Sequence, residues 1–184
     1  MQPDDGVEPV RQFVASAEKS LLLKQFTFTE ESLLETVIER HNAGVDVRVM
    51  LNPARSGGDR ANDDSFTRLQ GAGVNVAWTN PKFYVTHEKS IVVDGQAALV
   101  ATFNLCEKYF TLTRDYGVVT TVPQHVAQIV DAFDADWEHR DDWHPAVFEG
   151  GCCGAIRIRD ITWRNSSTPP RTGSIFSIRN TWTR

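Results

Sequence analysis

Apolar and polar positions along the first 137 residues follow two rhythms, one helical and one of short extended runs. Val10, Phe13, Val14 and Ala17 fall on one helical face. Residues 20–28 then read as a strand, with Leu21, Leu22 and Leu23 at its heart. Thr29 is the expected N-cap of the next helix, with Glu30 and Glu31 in a first turn whose dipole favours acidic groups. Leu33, Leu34, Val37, Ile38 and His41 form its stripe, and Asn42-Ala43-Gly44 ends it. Val45 to Leu51 alternates as a strand, and the polar, glycine-containing residues 52–64 read as a surface loop. Phe66, Leu69 and Gln70 mark a helix that stops at Gly71-Ala72-Gly73, and residues 74–78 give another strand.

Ala43-Gly44-Val45-Asp46-Val47 returns as Ala72-Gly73-Val74-Asn75-Val76, so helix, glycine stop and strand are used twice. This alternation predicts α/β units around a mixed, largely parallel sheet flanked by helices. Ile91-Val92-Val93 predicts a buried strand, Asp94-Gly95-Gln96 a tight turn, and residues 97–101 the returning strand of an antiparallel hairpin. Residues 116–120 give one more strand. Pro123 opens a last helix, with Val126, Ile129, Val130, Phe133 and Trp137 on one face.

The chemistry concentrates at this hairpin. His87-Glu88-Lys89-Ser90-Ile91-Val92-Val93-Asp94 has the form H-x-K-x4-D. Residues two apart on a strand share a face, so His87 and Lys89 pair, while Asp94 points away as a structural carboxylate capping the turn at Gly95. Thr102 and Asn104 follow, again two apart, and Asp115 precedes the strand at 116–120. Phosphodiester cleavage needs a nucleophile, charge for the phosphoryl oxygens and an acid for the leaving group. The His87 imidazole can attack phosphorus. Lys89 supplies the charge, Asn104 amide donors and Thr102 a hydroxyl, and Asp115 is the carboxylate that would orient the imidazole. A lysine two residues from the histidine opposes a bound cation, so no metal and no cofactor are expected.

A lone histidine beside an apolar strand is by itself an ordinary structural residue. The composition allows only about 0.01 chance matches to H-x-K-x4-D, and the later Thr, Asn and Asp lower that further. Trp78, Phe83 and Tyr84 precede the motif and can line a cleft or pack in the core. Tyr109, Phe110 and Arg114 can reach substrate. Arg55 and Arg60 sit in a loop that can hold phosphate or stay solvated.

The stretch resembles the phospholipase D superfamily, whose members carry an HKD motif, a G-S/T-x-N segment and a later acidic residue. His87, Lys89 and Asp94 match the first, Thr102 and Asn104 the second, and Asp115 stands where the acid, usually Glu, follows. Ala101 departs from the usual Gly. The resemblance implies a phospholipase D-like α/β sandwich over residues 1–145 and a phosphodiesterase or phosphatidyltransferase acting through a covalent phosphohistidine. It also implies a second HKD half, whose histidine protonates the leaving group. His41, His125, His139 and His144 lack a lysine two residues on, so this sequence carries one half. A second chain in a homodimer or a further half of a longer protein would complete it.

Cardiolipin synthase-like lipid enzymes and small dimeric endonucleases both fit the resemblance. The single motif favours the second and a fragment of a two-motif enzyme the first. A non-catalytic phosphate-binding or interaction module is the reading outside the enzymes. The absent partner motif speaks for it, and intact His87, Lys89 and Asn104 speak against it.

Composition narrows the partners. Over 184 residues, 41% hydrophobic and 23% charged content is that of one soluble domain with a real core. No apolar run is long enough to span a bilayer, and the N-terminus lacks a basic region followed by an apolar one, so a cytoplasmic protein in peripheral contact with membrane is expected. Three cysteines, two of them adjacent at Cys152-Cys153, make neither a disulfide framework nor a spaced metal site. The net charge of −5 is unevenly spread. Residues 151–184 hold six Arg, no Lys, no Leu and one Asp, leaving −10 on residues 1–150. An acidic body argues mildly against broad, non-specific nucleic-acid binding and leaves room for a local basic cleft; the phosphodiester expected is a phospholipid rather than a nucleic acid. Residues 146–184 read either as an irregular basic tail or as a stretch in a shifted reading frame.

Overall fold

In the computed structural model, residues 1–54, 57–140 and 142–144 are described. Helix α1 (Glu8–Ala15) leads into β1 (Ser20–Gln25), followed by α2 (Glu31–Asn42), β2 (Asp46–Leu51), α3 (Asp63–Gly71) and β3 (Asn75–Trp78). Strands β4 (Lys89–Val93) and β5 (Ala97–Ala101) form the hairpin. Then come a short helix α4 (Glu107–Thr111), β6 (Gly117–Thr120) and α5 (Pro123–Trp137). The six strands make one sheet in the order β3-β2-β1-β4-β5-β6. Its parallel part is β1 to β3, and the pairings β1–β4, β4–β5 and β5–β6 are antiparallel.

Strand parity divides the core into two layers. Leu21, Leu23, Ile91 and Val93 face the layer that also holds Val10, Val14, Leu33, Val37 and Leu69 of α1 to α3. Leu22, Met50, Val92 and Ala98 face the other side, where Val126 and Phe133 of α5 cover them. A strand buried on both faces must be apolar at every position, which is why Ile91-Val92-Val93 is an unbroken apolar run.

Some local readings shift. The N-cap of α2 is Glu30, not Thr29: its carboxylate accepts from the Leu33 amide at 2.7 Å. Strand β1 stops at Gln25 because Asn62 takes the next backbone groups, accepting from the Phe28 amide at 2.8 Å and donating to the Phe26 carbonyl at 2.9 Å. The stretch 52–64 is therefore not simply a surface loop, since Asn52 and Asn62 are each 2% exposed. Asparagine can be buried there because its amide replaces the missing strand partners. Helix α4 had no apolar period of its own to announce it. The expected basic or frame-shifted tail, and Arg55, lie outside the described residues.

Candidate functional site

The carboxyl ends of β1, β2, β3 and β5 and the amino ends of β4 and β6 lie on one side of the sheet. Ligands in open α/β sheets bind beyond the carboxyl ends of strands, and His87, Lys89, Thr102, Asn104 and Asp115 lie at this end, while Asp94 lies at the other. His87 and Lys89 point the same way from the start of β4. The Lys89 Nζ stands 3.1 Å from His87 Nδ1 and 3.3 Å from Nε2, and donates to the His87 carbonyl at 2.6 Å. Phe26 closes the far side, with its ring centroid 4.7 Å from that of His87 and 5.3 Å from the ammonium.

The ammonium stands at nearly the same distance from both ring nitrogens, so it faces the ring as a whole, and which nitrogen carries the lone pair depends on the tautomer. Burial, and then the Lys89 charge, hold the His87 pKa below its ordinary value, so the ring is neutral at neutral pH and nucleophilic. Lys89 is 4% exposed, and burial drives its pKa down to about 8 although the Asp115 charge opposes this. The result is a protonated but poorly solvated cation, short of the anion that would offset its burial.

Asn104 is 5% exposed and its Oδ1 is buried without a partner. Two residues not anticipated share this state at the end of β1: Gln25 Oε1 and Thr27 Oγ1. Gln25 pairs with Lys89 across the sheet and donates to the Ser90 carbonyl at 3.3 Å; the Leu105 amide donates to the Thr27 carbonyl at 3.0 Å. Such orphaned polar atoms are costly in a folded interior; the two amide oxygens are acceptors and call for a donor, while the Asn104 amide nitrogen is the group that can face a phosphate oxygen. The signal for Gln25 was a polar residue inside an apolar strand, but its place opposite Lys89 depends on a register that β1 alone does not carry.

The Asp115 carboxylate is engaged by two threonine hydroxyls. Its oxygens accept from Thr102 Oγ1 at 2.8 Å and Thr113 Oγ1 at 2.5 Å, not from the imidazole, and its charge is felt at Lys89. Thr102 bridges onward, accepting from the Tyr116 amide at 3.0 Å, which joins the ends of β5 and β6. The hydroxyl of Thr102 is thereby committed to Asp115 rather than free for a phosphate.

Asp94 points away from the pair. Its carboxylate accepts from the amides of Lys19 at 2.7 Å, Ser20 at 2.9 Å and Glu18 at 3.2 Å, tying the entry of β1 to the hairpin. This is a long-range tie and not the local turn cap anticipated. Burial pushes the carboxyl up, but the three amides together outweigh it and hold its pKa below the usual range. Asp94 and Gly95 both take positive φ, 54° and 64°, as an Asp-Gly turn allows.

The remaining candidates disperse. Trp78 stacks on Phe66 at 4.1 Å between centroids, Phe110 is core, and Tyr109 packs against that core. Arg114 pairs with Asp4 and Arg60 with Asp63. Phe83 and Tyr84 are exposed on the loop leading to His87. His41 ends α2, His125 lies in the first turn of α5, and His139 and His144 follow α5, so none of the four partners the His87 ring. No cluster of three metal-ligating side chains occurs among the described residues, and no helix there is long and apolar enough to cross a membrane.

Residues 10–137 match the family model described as cardiolipin synthase, phospholipase D-like domain. Over 126 residues the chain is 26% identical to a mitochondrial cardiolipin hydrolase of Chlamydomonas reinhardtii, covering 68% of this chain and 55% of that protein. Over 128 residues it is 30% identical to a cardiolipin synthase of Listeria monocytogenes, covering 68% of this chain and 26% of that protein. The chain thus spans about half the length of the first relative and a quarter of the second. The fold superposes on Nuc of Salmonella typhimurium, a phospholipase D family member, with a TM-score of 0.65 and 20% identity over 71% of this chain and 86% of that one.

Proposed function

The chain belongs to the cardiolipin synthase, phospholipase D-like domain family, and from that premise we propose that it supplies one half of a phosphodiesterase or phosphatidyltransferase site working through a phosphohistidine. The observation that carries this is the His87–Lys89 pair: a neutral imidazole with a lone pair, 3.1 Å from a buried ammonium that lacks an anion. A phosphodiester seated between Lys89 and Asn104 presents phosphorus to the ring. The imidazole nitrogen forms the N–P bond as the P–O bond to the leaving alcohol breaks, and that oxygen takes a proton from a second histidine. Water or an alcohol then attacks phosphorus, breaks the N–P bond and loses its proton to that histidine. The second histidine comes from a second half, a second copy of this chain or a further domain. Edge strand β6 begins two residues after Asp115 and exposes Val118 and Val119 beside Tyr116, an apolar edge suited to that contact.

The substrate favoured is a phospholipid, on the strength of the two cardiolipin enzymes among the relatives. Turnover of bis-p-nitrophenyl phosphate by the complete assembly, in excess EDTA, tests the chemistry, with mass measured alongside. Competition by cardiolipin vesicles or by single-stranded DNA then separates the substrates. Activity that survives EDTA and is competed by the vesicles supports the proposal. Activity lost on chelation and restored by a divalent metal overturns the metal-free mechanism. A stable two-half assembly without turnover leaves a non-catalytic phosphate-binding module.

A further inference from the structure

The register of β4 with β1 begins at Lys89, so His87 lies two residues outside the sheet ladder. A nucleophile must be held to a fraction of an ångström to keep its attack geometry, and ladder bonds do not do so here. Its carbonyl accepts from Lys89 Nζ at 2.6 Å, and its neighbours in sequence are held as well. On one side the Thr86 amide donates to Asn52 Oδ1 at 2.9 Å.

On the other side Glu88, the middle residue of the H-x-K triplet, points to the opposite face of the sheet. Its Oε2 lies 3.0 Å from Lys24 Nζ, and its Oε1 accepts from Ser90 Oγ at 2.7 Å. Lys24 is 1% exposed, with its ammonium also 2.7 Å from Asp136 and 3.3 Å from the Ala132 carbonyl, both on α5. A buried lysine flanked by two carboxylates is fixed in place, because moving it leaves an uncompensated charge.

We propose that Glu88, anchored by Lys24, is a positioning residue that sets the His87 ring from behind the sheet, so that α5 supports a site it does not touch. This rests on His87 being the nucleophile of the functional reading above. Fixing residue 88 at its side chain and residue 86 at its amide leaves the backbone between them little freedom. The ring is then held against Phe26 and Lys89. The exposed part of Glu88, 35% of its side chain, shows that folding does not require its burial. Lys24 keeps Asp136 and the Ala132 carbonyl when Glu88 is removed, so the variant Glu88→Ala folds.

Two measurements decide the matter. In the complete assembly, Glu88→Ala lowers kcat by about tenfold to a hundredfold, the scale expected for a misplaced reacting group, with KM nearly unchanged. Glu88→Gln, which keeps the reach to Ser90 and Lys24, recovers most of that loss. Asp134→Asn removes a different tie between α5 and the sheet, the 2.9 Å pair with Arg48, and leaves kcat as in the wild type. In the isolated chain, the Phe26 ring displaces the His87 ring resonances, and Glu88→Ala abolishes that displacement while Asp134→Asn preserves it. An assembly without turnover sinks the functional reading, while the resonances still decide on positioning. Wild-type His87 resonances in Glu88→Ala, or an equal effect of Asp134→Asn, overturn the proposal.

Discussion

Replacing Lys89 by methionine should make the protein more stable and inactive at once. Methionine keeps the unbranched stem and removes the charge. Burial brings the lysine pKa from 10.5 down to about 8, even with the His87 carbonyl 2.6 Å and the Phe26 ring 5.3 Å away. At about 1.4 kcal/mol per tenfold, that fall means the charged form is held at a cost of about 3 kcal/mol at neutral pH. Methionine relieves the cost but leaves the His87 carbonyl without its donor, so the net gain is about 1–2 kcal/mol. A chain of this size melts about 2–8 °C higher for such a gain.

The pH dependence has a definite sign. Between about 8 and 10.5 the unfolded chain keeps the Lys89 proton and the folded chain releases it. Stability therefore rises with pH across that window and is flat with respect to this group below it. Urea unfolding of both proteins at neutral pH and near pH 10 reads this as a difference. The wild type gains on the variant over that interval, because only the wild type sheds the cost of a buried charge. Turnover of the variant in the complete assembly falls to background, since the charge that faces the phosphate is gone. A variant less stable than wild type at neutral pH, or a difference that does not change up to pH 10, refutes the reasoning.

Replacing His87 by asparagine should abolish turnover in the complete assembly while leaving the melt within a few degrees, because the residue is exposed and asparagine cannot carry a phosphoryl group; residual activity above a few per cent would count against the mechanism. Asp94→Asn should cost about 1–3 kcal/mol at neutral pH through the three amides it holds, with activity lost only in proportion to unfolding. Its pKa is depressed in the folded state, so this contribution is present above the unfolded value near 3.9 and disappears as the pH falls through the lower folded value; Asp94→Asn therefore loses less stability on acidification than wild type, and thermal melts across that range test it.

The sequence by itself determined what depends on neighbours a few residues apart. Apolar period placed the strands and the four longer helices. The Asp-Gly pair located the hairpin, and alternation put His87 with Lys89 on one face, while Asp94 is kept from them by its place in the turn at the far end of β4. These are short-range consequences of backbone geometry, repeated every two or 3.6 residues, and need no knowledge of the rest of the chain. Tertiary structure decided what depends on which strands meet and in what register. Only the pairing of β1 with β4 sets Gln25 opposite Lys89. Only the meeting of β5 and β6 turns Asp115 to Thr102 and Thr113 instead of to the imidazole. Asp94 reaches amides about 75 residues away in the chain, and Lys24 joins Glu88 to Asp136, which lies 112 positions beyond Lys24. Such contacts are selected because a buried charge or amide must find a partner among whatever the fold brings near, and local sequence carries no record of what that will be.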